Sequence, residues 1–453
     1  MLHLSFDNGT LLIKGTEEQV EPIKEWVKYD ERVKMYRAQA YHYAPILRIL
    51  HGKYEYKDEA QSYKKLDIIL ETDKSPRTHQ AEAFTAWKAA KYRGVVVLPT
   101  GSGKSFLAQM AISHIKRNTL VVVPTIDLLN QWSEQLSEVF KCEVGMIGGG
   151  VKEIREITVS TYDSALLMME FIGDKFGLLI YDECHHLPGE RNRMSASMSI
   201  APYRMGLTAT PERNDDGEQV LYNLLGNLCY RQDIDQMKGN VLAPYVVERI
   251  ELELDEDEQQ AYEENREIYK QFLRDNDINF ANDGWARFMY MVAVHPSGKE
   301  AFAAYMTQRR IARSGRAKLR TIWSLMQEHS DERIIVFTAD NDTAYEIGRT
   351  FFLPVLTHHT KMLERKEMLE LFRSGEYPIL VTSKVLNEGV DVPEASVGII
   401  VSGSGSIREH VQRLGRILRK KANGKQAILY ELISQGTSEY YVSERRREHR
   451  AYK

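Results

Sequence analysis

The chain has 453 residues, of which 43% are hydrophobic and 27% are charged. At about 150 residues per domain, this length predicts about three domains. Ordinary glycine and proline counts exclude collagen-like and low-complexity chains, and three widely spaced cysteines argue against a structural zinc site or a disulfide framework. The net charge of −4 gives no sign of a nucleic-acid partner, although local patches rather than net charge decide such binding.

No apolar stretch approaches the roughly 20 residues that a membrane helix needs, so we expect no membrane association. The N-terminal residues carry neither a basic region nor a long apolar run, and we therefore expect no signal peptide. With the low cysteine count, these features predict an intracellular, cytoplasmic protein, or a nuclear one if the source is eukaryotic.

Residues 1–65 are expected to form a small α+β domain. Two short strands flank Asn8-Gly9, a dipeptide typical of a two-residue hairpin turn: Leu2–Phe6 and Thr10–Lys14. Apolar residues from Ala44 to Leu50 predict a short helix that ends near Gly52. The polar stretch 54–65 is interpreted as a linker or a poorly buried connection.

From about residue 72 the pattern changes to strands that alternate with helices, and a first α/β lobe is expected over residues 72–235. Continuous apolar strands between helical segments are typical of a parallel sheet covered on both faces. The predicted strands of this lobe are Gly94–Leu98, Thr119–Val123, Ile157–Val159, Leu178–Tyr181 and Met205–Leu207.

A second α/β lobe is expected over residues 236–440, with a basic tail over 441–453. Its predicted strands are Ile334–Phe337, Ile379–Val381, Val397–Val401 and Ala427–Leu432. Before them lies a helical pattern that predicts an insert at about 255–320, beginning within an acidic segment at 251–265.

The insert contains two groups of side chains of types that can contact nucleic acid. Its basic cluster comprises Arg309, Arg310, Arg313, Arg316, Lys318 and Arg320. These side chains could follow a phosphate backbone, or they could form a solvated face balanced by the acidic segment, and the sequence leaves both open. Four apolar residues at helical spacing favour the core of the insert over base stacking: Trp285, Phe288, Met289 and Val292.

The strongest local signal is Leu98-Pro99-Thr100-Gly101-Ser102-Gly103-Lys104-Ser105. It follows a predicted strand and precedes a helical pattern, which is the context of a phosphate-binding loop. Glycines let backbone N–H groups close around an anion, and the following helix directs its positive end towards it. Lys104 is expected to contact the β- and γ-phosphates and Ser105 to bind Mg²⁺, although Leu98 stands where the pattern has glycine.

A second signal, Asp182-Glu183-Cys184-His185, directly follows a predicted strand. Two adjacent carboxylates at the carboxyl end of a strand suit metal–nucleotide chemistry. Asp182 is expected to hold the Mg²⁺ shell and Glu183 to orient or deprotonate the attacking water. His185 is expected to relay contacts between the two lobes.

Together these features resemble the superfamily 2 helicases, whose second motif has the form D-E-x-H or D-E-x-D. Further matching pieces occur in the expected order: the adenine-reading Q motif at Arg77-Thr78-His79-Gln80, motif Ia at Val123-Pro124-Thr125, motif III at Thr208-Ala209-Thr210, motif V at Asn387-Glu388-Gly389-Val390-Asp391, and motif VI at Gln412-Arg413-Leu414-Gly415-Arg416-Ile417-Leu418-Arg419.

The resemblance implies two RecA-like lobes with ATP and Mg²⁺ bound at their interface. Arg416 and Arg419 are three residues apart in the sequence, a spacing that would place both on one face of a helix. They are expected to stabilise the transition-state charge as arginine fingers do. The implied cofactor-binding residues are Arg77, Gln80, Thr100, Gly101, Ser102, Gly103, Lys104, Ser105, Gly389 and Asp391. The implied DNA-coupling residues are Thr208, Thr210, Arg213, Asp215 and Gln412.

Three further segments resemble the XPB helicases, in particular their compact archaeal forms: Tyr36–Tyr41 (YRAQAY), Asp182–Pro188 (DECHHLP) and Gly403–Glu409 (GSGSIRE). This resemblance covers nearly the whole chain. It implies a damage-recognition-like N-terminal domain, a thumb-like insert that grips DNA, and 3′→5′ DNA helicase or translocase activity in nucleotide excision repair. It also implies a partner nuclease, as archaeal members have.

One departure from the family affects the expected activity. Arg213-Asn214-Asp215 stands at the R-E-D motif, so an amide replaces the middle carboxylate and unwinding is expected to be weaker while ATPase activity persists. Three alternatives stay open, and Asn214 supports the first of them. The chain could be a DNA translocase without strand separation, an RNA helicase of the D-E-x-H type, or a scaffold that has lost catalysis.

Overall fold

The structure is a computed structural model of the chain. It describes residues 1–209, 217–232, 245–280, 284–383, 395–402, 427–440 and 443. The described residues up to 232 belong to one compact unit, and those from 245 onward belong to a second. The domain limits at 65, 72, 235, 440 and the insert at about 255–320 stay predictions.

Several predicted site residues lie outside the described residues: Thr210, Arg213, Asp215, Gly389, Asp391, Gln412, Arg416 and Arg419. The same holds for nearly all of the predicted basic tail.

The first unit begins with a small sheet. Its strands are β1 (Leu2–Asp7), β2 (Thr10–Lys14), β3 (Val27–Asp30), β4 (Met35–Gln39) and β5 (Tyr56–Glu59). Among the described residues they form one sheet in the order β3-β4-β2-β1-β5, antiparallel except for the β1–β5 pair. The accompanying helices are α1 (Glu17–Val20) and α2 (Tyr43–Leu50), with 3₁₀ helices at Glu21–Trp26 and Ala40–His42.

The predicted hairpin is confirmed, because Asn8 and Gly9 both have positive φ, 45° and 76°. The interpretation of residues 54–65 as a linker is wrong, since this stretch contains β5, which pairs in parallel with β1. The strand sequence Tyr-Lys-Asp-Glu is polar because β5 lies at the sheet edge, where backbone pairing holds the strand and charged side chains remain in solvent.

The larger sheet of the first unit alternates with helices along the chain. Its strands are β6 (Arg93–Val97), β7 (Thr119–Val123), β8 (Val144–Gly148), β9 (Val151–Lys152), β10 (Ile157–Thr161), β11 (Leu178–Asp182), β12 (Tyr203–Thr208) and β13 (Leu228–Arg231). The helices are α3 (Thr78–Ala89), α4 (Lys104–Ile115), α5 (Ile126–Phe140), α6 (Tyr162–Ile172), α7 (Arg193–Ser197) and α8 (Gly217–Leu225), with a 3₁₀ turn at Cys184–His186.

Within the described part of the chain these eight strands run in the order β13-β6-β12-β11-β7-β10-β8-β9, and only β9 is antiparallel to its neighbour. All five strands predicted for this lobe are present. The central strands β7, β10 and β11 are buried along their whole length, as continuous apolar runs covered by helices on both faces require.

The second unit has its own parallel sheet. Its strands are β14 (Tyr245–Leu252), β15 (Ile334–Phe337), β16 (Val355–Leu356), β17 (Ile379–Thr382), β18 (Val397–Ile400) and β19 (Ala427–Ser434). The helices are α9 (Glu256–Asp275), α10 (Gly284–Val294), α11 (Gly298–Ser314), α12 (Arg316–Glu328), α13 (Asn341–Phe351) and α14 (Met362–Ser374). In the described ranges the order is β14-β19-β18-β15-β17-β16, every pair parallel.

The range predicted for the insert is largely helical, and its helices α9, α10 and α11 share a small apolar core around Phe272 and Phe288. Of the four apolar residues expected there, Phe288 is buried and Val292 packs against the core. The same expectation is wrong for Trp285 and Met289, which are 46% and 38% exposed. The reason is geometric, because α10 buries only the stripe that contains Phe288 and presents its flank to solvent.

The basic cluster of the second unit makes ion pairs within that unit. Arg316 and Arg320 both pair with Asp255, with N–O distances of 3.0 and 2.7 Å. Arg313 pairs with Asp340, and the buried Lys318 pairs with Glu439. For Arg316 and Arg320 these contacts favour a solvated face balanced by the acidic segment. That interpretation is wrong for Lys318, which is buried, and Arg313 pairs with an aspartate outside the segment.

Within the described residues, no helix combines the length and the apolar character that crossing a membrane requires.

Candidate functional site

The phosphate-loop sequence connects the end of β6 to the start of α4 in the first unit. Gly101 and Gly103 have φ values of 81° and 86°, a region that side chains other than glycine enter only with strain. At Gly103 a Cβ atom would also lie 2.4 Å from Nε2 of Gln80. Both glycines are therefore required by the path of the loop.

Two adjacent side chains of α3 hold this loop from outside. Nε2 of Gln80 donates to the carbonyl oxygens of Ser102 and Gly103, at 3.2 and 3.1 Å. Its Oε1 accepts from the backbone N–H of Arg77 at 2.9 Å. The His79 ring bonds the Ser102 carbonyl at 2.9 Å, and burial lowers the pKa of His79. The predicted Q-motif glutamine thus shapes the loop in addition to its predicted contact with adenine.

The interior of the loop suits an anion. The Lys104 ammonium lies at the N-terminal end of α4 and donates to the Leu98 carbonyl at 3.2 Å. The Thr100 hydroxyl oxygen is buried and has no hydrogen-bond partner among the described residues. A lysine, a helix N-terminus and a buried hydroxyl that still needs a partner together fit a bound phosphate group.

The predicted acidic pair lies next to this loop. Asp182 ends β11 and is buried, and Glu183 follows with a φ of 46°. Oε1 of Glu183 is 3.7 Å from Nζ of Lys104, although the two residues are 79 positions apart. The structure therefore brings Lys104, Asp182 and Glu183 together at the carboxyl ends of β6 and β11.

The Asp182 carboxylate is oriented by two hydrogen bonds. The indole N–H of Trp132 donates to Oδ2 at 3.0 Å, and the backbone N–H of Glu183 donates to Oδ1 at 3.0 Å. Burial raises the pKa of Asp182 to about 6, and the charge of Glu183 adds to that rise. The nearby Lys104 and the Trp132 hydrogen bond act in the opposite direction and favour the ionised form.

Motif II is bonded directly to motif III. Nδ1 of His185 lies 3.0 Å from the Thr208 hydroxyl, and both residues are fully buried. The same ring nitrogen lies 3.4 Å from Oε2 of Glu183. A change in the charge or position of the Glu183 carboxylate can therefore affect Thr208, at the end of β12, through the side chain of His185. The role expected for His185 between the lobes stays a prediction.

Three residues that contribute to the site were not predicted. Trp132 lies on α5 and the sequence around it carries no sign of its contact with Asp182. Tyr162 donates its hydroxyl hydrogen to the Asp182 carbonyl at 2.9 Å. His79 stands next to Gln80, and its position within the Q motif was the available signal.

Ser105 lies in the first turn of α4, and its predicted Mg²⁺ contact stays a prediction.

Three families match different parts of the chain. Residues 4–60 match the Xeroderma pigmentosum group B helicase damage recognition domain, residues 73–213 match the Type III restriction enzyme res subunit, and residues 301–451 match the ERCC3/RAD25/XPB C-terminal helicase.

Individual relatives are similar over most of the chain. The DNA 3′-5′ translocase XPB2 of Sulfurisphaera tokodaii is 41% identical over 93% of this chain and 96% of its own length. The DNA 3′-5′ helicase XPB of Mycobacterium tuberculosis is 32% identical over 78% of this chain, which spans 60% of that longer protein. The Arabidopsis thaliana general transcription and DNA repair factor IIH helicase/translocase subunit XPB1 is 26% identical over 84% of this chain.

A solved structure is similar in fold. The helicase domain of Pyrococcus furiosus Hef aligns with a TM-score of 0.54 at 19% identity, and the match covers 82% of this chain and 98% of that domain. This likeness shows that the chain and that domain share an α/β fold. The extent of identity to the Sulfurisphaera protein, together with the matched families, shows that the chain belongs to the XPB family of superfamily 2 helicases.

Proposed function

We propose that this XPB-family chain is a DNA-dependent ATPase that moves along DNA in the 3′→5′ direction and opens the duplex. The observation that carries the proposal is the juxtaposition of Lys104 with Asp182 and Glu183 beside a preformed phosphate loop. A lysine, a metal-binding carboxylate and a second carboxylate for water are the parts that ATP hydrolysis by such a loop requires.

The phosphate loop is the proposed site for ATP. Lys104 exchanges its contacts with Leu98 and Glu183 for phosphate oxygens, while Thr100 and the backbone N–H groups around Gly101 and Gly103 contact the same anion. Ser105 and Asp182 are the proposed Mg²⁺ ligands. When bound, the metal neutralises the charge that develops on the phosphate oxygens.

Glu183 is the proposed base for the attacking water. Its carboxylate accepts a proton as the water oxygen bonds the γ-phosphorus and the bond to the ADP oxygen breaks. Because Oε2 of Glu183 lies near the His185 ring and that ring bonds Thr208, the change of charge at Glu183 has a direct route to motif III. We propose that this route couples hydrolysis to the grip on DNA.

The remaining predicted residues complete this proposal. Arg416 and Arg419 supply positive charge in the transition state, and Gly389 and Asp391 contribute to nucleotide binding. Thr210, Arg213, Asp215 and Gln412 are proposed to couple the nucleotide site to DNA. Their substitution is expected to separate ATP hydrolysis from DNA movement.

A role in nucleotide excision repair is proposed for the same activity. The support is the match of residues 4–60 to a damage recognition domain and the repair factor named in the Arabidopsis relative. Forked or damaged duplex DNA is the proposed substrate, and a nuclease is the proposed protein partner.

A second candidate function is DNA translocation without strand separation. The name of the Sulfurisphaera relative favours it, as does Asn214 in place of the middle carboxylate of the R-E-D motif. An RNA helicase or an inactive scaffold is less consistent with the family and with the cluster around Lys104.

The test compares ATPase activity, strand displacement and triplex displacement for the full chain and for Lys104→Ala. We expect single-stranded DNA, rather than RNA, to stimulate ATPase activity, and Lys104→Ala to abolish it. The exposed Lys74→Ala serves as the control and should retain full activity. Triplex displacement without strand displacement would favour the second candidate. Stimulation by RNA alone, or an unchanged rate for Lys104→Ala, would contradict the proposal.

A further inference from the structure

The backbone turn at the end of β11 has a conformation that residues other than glycine rarely adopt. Glu183, the first residue after this buried strand, has φ and ψ values of 46° and 52°. In this left-handed conformation its Cβ atom crowds the following carbonyl, so the surrounding structure has to hold the residue there. The direction of a side chain follows from φ and ψ of its own residue. The same turn therefore decides where the Glu183 carboxylate lies.

The hydroxyl of Tyr162 contacts both carbonyl groups that flank this turn. Its oxygen lies 2.9 Å from the carbonyl oxygen of Asp182 and 3.4 Å from that of Glu183. Tyr162 is only 4% exposed, so its hydroxyl is removed from bulk water. One buried donor thus lies between two successive acceptors of the backbone, closer to the first.

Contact with both carbonyls constrains the conformation of Glu183. The angle between the two C=O groups depends on φ and ψ of Glu183, because that residue alone lies between the two planar peptide groups. In an extended strand, successive C=O groups point to opposite sides, and one hydroxyl cannot reach both. The Tyr162 hydroxyl therefore favours the turned conformation of Glu183 over a continuation of the strand. The His186 N–H donates to the Glu183 carbonyl at 3.1 Å and closes the turn from its other side.

Tyr162 reaches this turn from a strand that is not adjacent to β11. It is the first residue of α6, which follows β10, and β7 lies between β10 and β11 in the sheet. Neighbouring strands are about 4.8 Å apart, so β10 and β11 are separated by roughly 10 Å. The start of α6 is fixed by Thr161, whose hydroxyl accepts from the Ser164 N–H. The Tyr162 ring also packs 5.8 Å from the ring of Tyr181 and 6.0 Å from that of His186.

The chemistry of Tyr162 suits a structural donor rather than a group that transfers protons. Burial raises the pKa of the Tyr162 phenol well above its ordinary value of 10. The phenol therefore stays neutral in the pH range of enzyme assays and keeps its hydrogen for the two carbonyls.

The Tyr162 contact differs from the Lys104 contact of Glu183 in being independent of the nucleotide. Oε1 of Glu183 lies 3.7 Å from Nζ of Lys104, the group that we propose to move to phosphate oxygens when ATP binds. Tyr162 contacts backbone oxygens that take part in none of the proposed nucleotide contacts. Its hold on the turn is therefore expected to persist while the contact with Lys104 is exchanged.

We propose that Tyr162 is a positioning residue for ATP hydrolysis. Its hydroxyl holds the peptide groups on both sides of Glu183 and thereby keeps the Glu183 carboxylate in place for the attacking water after Lys104 has moved to the phosphates. The inference rests on the proposed function, in which Glu183 is the base. Tyr162 acts through Glu183 and contacts neither the nucleotide nor the water in this scheme.

Tyr162 and Trp132 act on the two carboxylates in different ways. The indole N–H of Trp132 donates to the Asp182 side chain and favours its ionised form, so the loss of that bond changes a pKa. The Tyr162 hydroxyl donates to the backbone, so its loss changes the position of the base. A lower kcat with an unchanged KM for ATP is the expected sign of this second effect, because the base acts in the transition state.

The test uses variants of the full chain, assayed with saturating single-stranded DNA. Tyr162→Phe removes the hydroxyl and keeps the ring. Tyr181→Phe is the matched control, since Tyr181 is fully buried and its hydroxyl lies 3.2 Å from that of Ser195, away from the turn. Glu183→Gln removes the base, and a double variant combines Tyr162→Phe with Glu183→Gln. For each variant we measure kcat and KM for ATP, the single-turnover rate of hydrolysis, the affinity for a non-hydrolysable ATP analogue, and the melting temperature.

We expect Tyr162→Phe to lower kcat about tenfold or more, because a small displacement of a reacting group has an effect of this size. KM and the affinity for the analogue should stay within about twofold of wild type. Tyr181→Phe should lower the melting temperature by a similar amount and keep kcat within about twofold of wild type. The double variant should hydrolyse ATP at the single-turnover rate of Glu183→Gln, since a residue that acts through Glu183 has no further effect once the base is gone.

Three results would overturn the inference and leave the proposed function standing. The first is an equal kcat for Tyr162→Phe and Tyr181→Phe. The second is a further loss of about tenfold in the double variant relative to Glu183→Gln, because Tyr162 would then act independently of the base. The third is a raised KM with an unchanged kcat for Tyr162→Phe, which would assign Tyr162 to nucleotide binding. Hydrolysis by Glu183→Gln at the wild-type rate would instead overturn the proposed base, and this inference with it.

Discussion

Asp182 is a buried carboxylate, and its ionised form lowers the stability of the folded chain. The same ionised form is the one that the proposed Mg²⁺ site needs. Its pKa is raised to about 6 by burial and by Glu183, while Trp132 and Lys104 limit that rise. The pKa of Asp182 is about 6 in the folded chain and 3.8 ordinarily. Between these two pH values the Asp182 carboxyl is protonated in the folded chain and ionised in the unfolded chain. The free energy of unfolding therefore falls as the pH rises from about 4 to about 6. Above pH 6 the destabilisation by Asp182 has reached its full value.

Asp182→Asn keeps the shape of the side chain and removes the charge. We expect it to abolish ATPase activity and to raise the free energy of unfolding at pH 8 by up to about 3 kcal/mol, at about 1.4 kcal/mol for each pKa unit. Thermal unfolding at pH 8 and pH 4.5 checks this, because the gain should shrink at the lower pH. An equal gain at both values would show that the charge of Asp182 is not its source.

Trp132→Phe removes the indole hydrogen bond to Asp182. Because that bond favours the carboxylate, its loss should move the acid limb of the ATPase pH profile upward by roughly one pH unit. Trp87→Phe is the matched control, since Trp87 is also buried and its indole donates to the Arg204 carbonyl, away from the site. Both variants should lose about 1–2 kcal/mol of stability. A shifted profile in Trp87→Phe, or none in Trp132→Phe, would contradict the role of Trp132.

Residues of the site were predictable where they form a local pattern. Lys104 and Glu183 were predicted because each belongs to a short motif at the end of a strand, and the structure places their charged groups 3.7 Å apart. Trp132 could not be found in the same way. It lies 50 positions from Asp182, and only the packing of α5 on the sheet brings its indole to that carboxylate.

At the scale of elements, the phosphate loop depends on its anchoring by α3 as well as on its own glycines. Gln80 donates to two loop carbonyls, and its amide occupies the space beside Gly103 that a Cβ atom would take. Loop shape and Q motif are thus one structural unit. A change in either one is expected to alter nucleotide binding.

Gly103→Ala tests this unit. The left-handed conformation costs an alanine about 1–2 kcal/mol, and its Cβ atom would displace Gln80. We therefore expect kcat/KM for ATP to fall at least tenfold. Gly52→Ala is the control, because Gly52 has a φ of 74° and a Cβ atom there would meet no other atom within 4 Å. It should lose similar stability and keep its ATPase activity. Equal activity of the two variants would argue against the Gln80 contact.

Central strands buried on both faces were predicted, whereas strands with exposed or partly buried residues were missed. The missed strands include edge strands and also β4 and β8, which have neighbours on both sides. The apolar run at 119–123 became β7 with unchanged limits, because a central parallel strand has no solvent face to carry polar residues. β5 was missed because an edge strand needs only backbone pairing, and its Lys57 and Glu59 lie in solvent. The short β9 at the other sheet's edge was missed as well, and both its residues are exposed.

At the scale of the whole molecule, charge is arranged locally. The acidic start of α9 and the basic start of α12 neutralise each other through Asp255, Arg316 and Arg320 within the second unit. In the first unit, the Lys104 ammonium lies 3.7 Å from the Glu183 carboxylate at one end of the sheet. The net charge of −4 averages over these regions and therefore predicts neither of them.

We propose that Lys104, Asp182 and Glu183 form the ATP-hydrolysing centre that drives movement on DNA. Glu183→Gln tests it most directly, because the amide keeps its place beside Lys104 and cannot accept a proton. We measure ATP binding, ATPase activity and unwinding of duplexes with single 3′ or 5′ overhangs. We expect the wild-type chain to unwind the 3′-overhang substrate. Glu183→Gln should bind ATP within a few-fold of wild type, hydrolyse it about 10²- to 10⁴-fold more slowly and unwind neither substrate. Hydrolysis by Glu183→Gln at the wild-type rate, or wild-type unwinding from the 5′ overhang alone, would contradict it.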